Sequence, residues 1–381
     1  MRRLSRLVGI FLSVVWLAAA SGGPLRAHDY RAGQGDHQLS EGAEAQHYLR
    51  IFRESGDDQA LDEAWRLLEP RLGEPGVDSD TLVLAATVAQ SRHEFDQARS
   101  LLDRVLSAQP SHQQALLLLA SLQVLQGDTH AAAGSCRRLQ RVSALVQLVC
   151  RARVALADDN YDREFRALSA ALPTLTPTKE GREVYAWAVA VAGDLATAAL
   201  QNQNAIGYYE QSLALVESTQ VRAALVDRLL AQGRLVAAEA ALDVEATALA
   251  LKVRRMIVAR RQGRESSVST AIALADAEFQ RWIAARDWAH AREMARFYLD
   301  VLERHALAFR LASINLESQR EPEDILLFER AAKVAGEQPI LPPVRAVSGS
   351  GFPGGCVTLT HCHYQDDAAP HYQKVQLGYS F

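Results

Sequence analysis

A period runs through most of this chain. Apolar residues recur at helical spacing from about residue 40 to 335, and short breaks divide the stretch into single helices. Units opening at Ala45, Ser79 and Gln113 are spaced by an uninterrupted 34 residues. Further units open at Leu145 and Lys179, then less regularly near Thr219 and Leu249, and the 34-residue spacing returns between Ile272 and Ala306. A fixed period of this length predicts a helix–turn–helix stacked on copies of itself, because one helix pair alone cannot bury its apolar face. The stretch is rich in Ala, Leu, Gln, Arg and Glu, all good helix formers. Gln126-Gly127-Asp128, Ala192-Gly193-Asp194 and Gln232-Gly233-Arg234 read as turns between paired helices, since glycine readily adopts the backbone angles that end a helix.

Within the unit 79–112, Leu82, Ala85, Ala86, Ala89, Phe95, Ala98, Leu102, Val105 and Pro110 stand at positions that recur. The next unit carries Leu116, Leu119, Ala120, the Gly127-Asp128 turn and Ala132, and the first carries Phe52, Leu61, Ala64 and Leu68. The alanine of the second helix falls on Ala64, Ala98, Ala132, Ala198, Ala238 and Ala291. A methyl there lets two helix axes approach to about 8–10 Å, where a leucine would hold them apart. In these residues the chain resembles the tetratricopeptide repeat (TPR) family across residues 45–338. The likeness is most regular over 45–140 and degenerate over 145–178 and 246–271, where the units at 249 and 272 overlap.

The resemblance implies an all-α fold, an α-solenoid whose first helices line a concave groove that binds an extended peptide or a partner helix. The groove positions fall on Val83, Thr87 and Gln90, on Leu117, Ser121 and Val124, on Val149 and Arg153, on Glu183 and Trp187, and on Arg310 and Ile314. The Lys/Asn set with which some family members clamp a terminal carboxylate is absent from them, so capture of chaperone C-termini is not implied. Trp65, Trp282 and Trp288 are expected to pack in or at helices.

Residues 1–27 read as a secretory signal peptide: Arg2, Arg3 and Arg6, then the apolar run Leu7–Ala20, then small residues with cleavage expected after Ala20 or Ala27. The run is short for a membrane helix, so an uncleaved anchor is the lesser reading, and no cysteine stands where a lipoprotein would need one. Removing this leader deletes Arg2, Arg3, Arg6 and Arg26 and takes the net charge from −4 to −8. An exported acidic protein is expected, with no membrane span left after cleavage and no basic excess for nucleic acid. Hydrophobic residues at 49% and charged residues at 23% are globular proportions and exclude wholesale disorder. Residues 28–44 form a lead-in.

The segment 339–381 is different. Pro339, Pro342 and Pro343 forbid further helix, and five prolines and six glycines fall in residues 336–381. Val357 and Leu359, then Val375, Leu377, Tyr379 and Phe381, alternate with polar or small residues, so the tail is irregular with a possible β-hairpin. Its end also resembles the terminal signature of outer-membrane β-barrels, although no series of amphipathic strands precedes it. Four cysteines in an exported chain suggest disulfides, and three connectivities are open. Cys136–Cys150 and Cys356–Cys362 are the favoured pairs. Thiolate and imidazole in Cys356, His361, Cys362, His363 and His371 form the alternative, a zinc or copper site.

H-E-x-x-H, G-x-S-x-G and Walker motifs are all missing, and Gly349–Gly354 matches G-x-G-x-x-G without the strand and helix that motif needs. Carboxylates on the helices read as solvated charge, and His93, His112, His130, His290 and His305 as surface or packing residues. The expectation is a non-enzymatic, cofactor-free scaffold that binds one or more cell-envelope proteins. The alternatives are a metal-handling protein working through its tail and an accessory subunit of an outer-membrane assembly or secretion system.

Overall fold

The periodic stretch is helical from end to end. The computed structural model describes residues 41–55, 58–139, 143–178, 181–242 and 248–342, and among these there are seventeen α-helices and no strand. The leader, most of the lead-in, the tail hairpin, the Cys356–Cys362 pair and the Cys/His cluster lie outside the described residues. The helices are α1 (Glu41–Ser55), α2 (Asp58–Leu68), α3 (Ser79–Ser91), α4 (Phe95–Ala108), α5 (Gln113–Leu125) and α6 (Thr129–Arg138). They continue with α7 (Ala144–Ala157), α8 (Asp162–Ala171), α9 (Arg182–Ala198), α10 (Asn202–Leu215), α11 (Thr219–Ala231) and α12 (Leu235–Ala241). The last are α13 (Leu249–Arg261), α14 (Ser269–Ala285), α15 (Ala291–Asp300), α16 (His305–Asn315) and α17 (Pro322–Ala335).

Polar residues start these helices. The Asp78 carboxylate accepts from the Thr81 N–H at 2.8 Å, and Asp128, Ser143 and Ser218 cap α6, α7 and α11 in the same way. Left-handed residues end them: Gly127, Gly233 and Gly263, but also His93, Asp159 and Leu200. Sequence neighbours pack against each other, and odd-numbered helices pack on the next odd one: α1 on α3, α3 on α5, α5 on α7, α7 on α9, α11 on α13, α13 on α15 and α15 on α17. An odd series therefore runs through the described chain in two stretches, α1 to α9 and α11 to α17, and the even-numbered helices make up the other set.

Three sequence expectations need correction. Ala192-Gly193-Asp194 is not a turn but the middle of α9, and that turn comes at Leu200 instead. Gly193 answers to packing, because a Cβ there would sit 2.6 Å from Cε1 of Tyr209 on α10. The Tyr209 ring takes the space a side chain would need. Ala198 accordingly closes α9, and the fully buried Ala205 supplies the small residue on α10. The third correction is one of phase. The units opening at Ile272 and Ala306 are 34 residues apart, yet they begin on α14 and α16, which belong to the even series. The spacing alone reports that two helices are equivalent, not which of the two kinds they are.

The other crossing alanines, Ala64, Ala98, Ala132 and Ala238, are fully buried on α2, α4, α6 and α12. The apolar core runs along the chain in three successive clusters, the first from α1 to α5, the second from α5 to α9 and the third from α9 to α17. In the second, Cys136 on α6 and Cys150 on α7 are disulfide-bonded and both buried. Trp65 and Trp187 are buried, while Trp282 and Trp288 pack half-buried against the third cluster. No helix among the described residues is long and apolar enough to cross a membrane.

Candidate functional site

Charge lies inside this core. Four arginines and six carboxylates form one connected ladder across the odd series: Arg153 of α7, Asp194 of α9, Asp227 of α11, Arg254 of α13, Arg292, Glu293 and Arg296 of α15, and Glu321, Glu323 and Asp324 at the start of α17. Arg292 and Arg296 stand four residues apart, on one face of α15. Arg292 grips Asp324 with two hydrogen bonds of 2.6 and 2.8 Å and reaches Glu321 at 2.9 Å. Arg254, fully buried, forks onto both oxygens of Asp227 at 3.0 and 2.8 Å. Arg296 donates to the same two oxygens at 3.0 Å each and also bonds Glu323. Planar guanidinium forks suit such shared carboxylates better than lysine would.

The sequence 321–324, Glu-Pro-Glu-Asp, builds the C-terminal end of the ladder locally. Pro322 takes the first helical position, where no N–H is needed, and Glu321 and Asp324 form a reciprocal capping box. The Glu321 N–H donates to Asp324 Oδ2 at 3.0 Å. Asn315 Nδ2 donates to Asp324 Oδ1 at 2.6 Å, and Arg292 reaches Gln319 Oε1 at 3.1 Å. The same carboxylates thus cap a helix and bind guanidiniums.

Carboxylates outnumber guanidiniums, and burial penalises the surplus charge. Desolvation lifts Asp194 to about 7, although Arg153 stands 3.9 Å away and Tyr209 donates a 2.9 Å hydrogen bond to it. Desolvation likewise lifts Asp324 to about 6 against the pull of Arg292, and it raises Glu323. Asp227 goes the other way: burial would raise it, but Arg254 and Arg296 together hold it below the ordinary carboxylate range. Nearby, desolvation pushes His93 down to about 4, helped by His290 and Arg292. Burial would lower His290 too, yet Asp58 at 3.2 Å raises it overall.

The expected groove positions fall mostly inside the molecule. Val83, Thr87 and Gln90 on α3, Leu117 and Val124 on α5, Val149 and Arg153 on α7 and Trp187 on α9 are buried. Ser121 is half-buried and Glu183, in the first turn of α9, is exposed. Arg310 is exposed and Ile314 half-buried, and both lie on α16 in the even series. Thr87 satisfies its hydroxyl on the Val83 carbonyl at 2.8 Å. Arg153 is the member of the set that belongs to the ladder.

Sequence reasoning missed the rest of the ladder, because it read helix carboxylates as solvated. The signal within reach was a charge standing in an apolar face, as Asp194 does between Val191 and Leu195 and Asp227 does beside Val226. Among the described residues no group of three or more His, Cys, Asp or Glu side chains has the geometry of a metal site. The ladder's chemistry is mutual: each guanidinium is turned onto carboxylates of other helices, so ion pairs link α7, α9, α11, α13, α15 and α17. No family model matches the chain, and no curated protein matches it in sequence.

Proposed function

We propose that the protein is a non-enzymatic interaction scaffold of the cell envelope, a TPR-like α-solenoid whose odd-numbered helices line a concave face that holds a peptide or helix of a partner protein. One observation carries the reading. Small residues stand buried at the helix crossings of successive pairs, Ala64, Ala98, Ala132 and Ala238, and odd helices follow one another through most of the unit. Helix pairs repeated in that way generate extended surfaces, which repeat proteins use for binding. The ionic ladder fits the same role, because charges turned onto one another position helices rather than transform a substrate. The leader sequence supports export, and the buried disulfide between α6 and α7 suits an oxidising compartment.

The test is site-specific photo-crosslinking of the full chain in its own cells, with the probe at Ser121 or Glu183, members of the groove set that lie on odd-numbered helices and are not buried. One dominant envelope protein crosslinked from both positions is the expected result. Recovery of the protein alone from both would overturn the reading. Cell fractionation of the same sample checks the compartment: the expected location is outside the inner membrane.

A further inference from the structure

Residues from the two ends of the described unit meet one another. The imidazole of His290, just before α15, pairs with Asp58 at the start of α2 at 3.2 Å. Gln319 Nε2 and His93 Nδ1 are 2.6 Å apart, and the His93 and His290 rings stand edge to face with centroids 6.4 Å apart. The Arg320 N–H donates to the Leu125 carbonyl at the end of α5 at 2.6 Å, and the Arg320 side chain lies over Gly127. Arg153 of α7 reaches Glu321 at 3.3 Å. A close approach of α1 to α11 accompanies these contacts.

This seam differs from every other junction in the unit. The three apolar clusters run along the chain, and none of them joins α1–α5 to α15–α17. What crosses is hydrogen bonds and ion pairs, partly wet at Asp58 and His290 and dry at Arg153–Glu321, where Arg153 keeps Asp194 of α9 as a second partner. Water can replace such contacts on separation, whereas it cannot replace buried apolar surface. His93 is moreover held at a positive φ of 63°, the place that Gly127, Gly233 and Gly263 take at other turns. A non-glycine residue is retained there at a conformational cost, and it makes a seam contact. At the seam, Gln90 near the end of α3 accepts from the His93 N–H through its carbonyl and Arg153 lies on α7, both buried and outside the three apolar clusters.

We propose that the seam is a closure, at which α2–α7 part from α15–α17 without dismantling an apolar core, and that its opening is what presents the inner ends of α3 and α7, at Gln90 and Arg153, to the peptide or helix of the partner protein. The proposal rests on the scaffold reading and makes those two groove positions conditional on an open form. In the closed form those positions are covered, so a partner binds by shifting the population toward the open one.

The experiment uses the full chain carrying Asp58→Ala and Gln319→Ala, two seam residues outside the apolar clusters, with Gln319→Ala alone as the milder variant. Hydroxyl-radical footprinting reads side-chain exposure, and small-angle scattering reads the radius of gyration. Oxidation of His93 should rise at least threefold with a larger radius of gyration, while Val124 in the second cluster and Phe328 in the third stay protected. Unchanged footprints and radius in both variants would overturn the closure. A rise at Val124 and Phe328 in step with His93, in both variants, would also overturn it, because the whole unit would then be loosening. Crosslinking yield from Ser121 separates the two ideas. Exposure without any partner leaves the closure standing and removes the scaffold, whereas partner capture with no change of exposure does the reverse.

Discussion

The first five helices and the last seven solve one packing problem with different materials. Over α1–α5 the buried polar side chains are neutral: Thr81, Thr87, Gln90, Gln114 and Gln123. Over α11–α17 they include Arg228, Arg254, Arg296, Glu321, Glu323 and Asp324. The first region keeps the 34-residue spacing, and alanine at each crossing sets the distance between helices. In the second region the spacing survives only between Ile272 and Ala306, α12 shortens to Leu235–Ala241 and α14 extends over Ser269–Ala285. Apolar contact is non-directional and tolerates sliding, but a forked guanidinium accepts few positions. Where the repeat is irregular, the ladder holds a register that repetition no longer holds.

The largest effect should come from cutting the ladder at Asp227, which accepts four hydrogen bonds from two guanidiniums. Asp227→Ala leaves Arg254 and Arg296 buried with only Glu323 in common and is expected to cost about 3–5 kcal/mol. Hydrogen exchange should localise that loss to α11–α17 and leave α1–α5 protected. Equal loss at both ends would break the comparison. Replacing both Cys136 and Cys150 by serine should cost about 3 kcal/mol, as a crosslink closing a short loop does, and open α6 and α7 first. A smaller effect tests the correction at α9. Gly193→Ala drives a methyl into the Tyr209 ring and strains its bonds to Asp194 and Thr197, for a loss of about 1–3 kcal/mol in urea unfolding.

Titration sharpens the contrast further. Asp194 ionises near 7 in the folded chain against 3.8 when unfolded, so the folded state binds the extra proton and stability falls as pH rises from about 4 to about 7. His93 acts oppositely: its pKa of about 4 in the folded chain lies below 6.5, so stability falls as pH drops from about 6.5 to about 4. Asp194→Asn removes only the first effect. Relative to the parent, the variant should gain about 2–3 kcal/mol of stability between pH 5 and pH 8. Denaturant midpoints at the two pH values check it, and a constant difference would mean that Asp194 is not the buried acid described. The smallest effect belongs to the surface. Glu63→Gln, which breaks the exposed pair with Arg66, should change stability by less than about 0.5 kcal/mol.

Legibility followed the same division. Ala64, Ala98 and Ala132 could be read because a small residue recurring at a fixed interval marks a helix crossing, and the turn at Gly127 because that glycine lies at φ 79°. Gly193 could not be read correctly, since a glycine serving a close ring contact and a glycine serving a turn are the same letter. The resemblance implies Arg310 and Ile314 as groove residues through the unit opening at Ala306, and a 34-residue spacing does not say whether a helix is odd or even. The ladder was the least legible part. Arg254 and Lys252 are both cations on α13, yet Arg254 is fully buried and Lys252 exposed.

Residues 45–335 carry in their own order the helical periodicity, the openings of α3, α5, α11 and α13 at Ser79, Gln113, Thr219 and Leu249, and the buried small residues Ala64, Ala98, Ala132 and Ala238. Those properties are local: helical periodicity, capping side chains and glycine angles act over a few residues. Only the tertiary structure decided which charges are buried, which helices form the odd series, and that residues 290–321 return to meet α2, α3, α5 and α7. Those outcomes depend on groups brought together from as far as Asp58 and Glu321, and a guanidinium carries no mark of the distant carboxylate that will neutralise it.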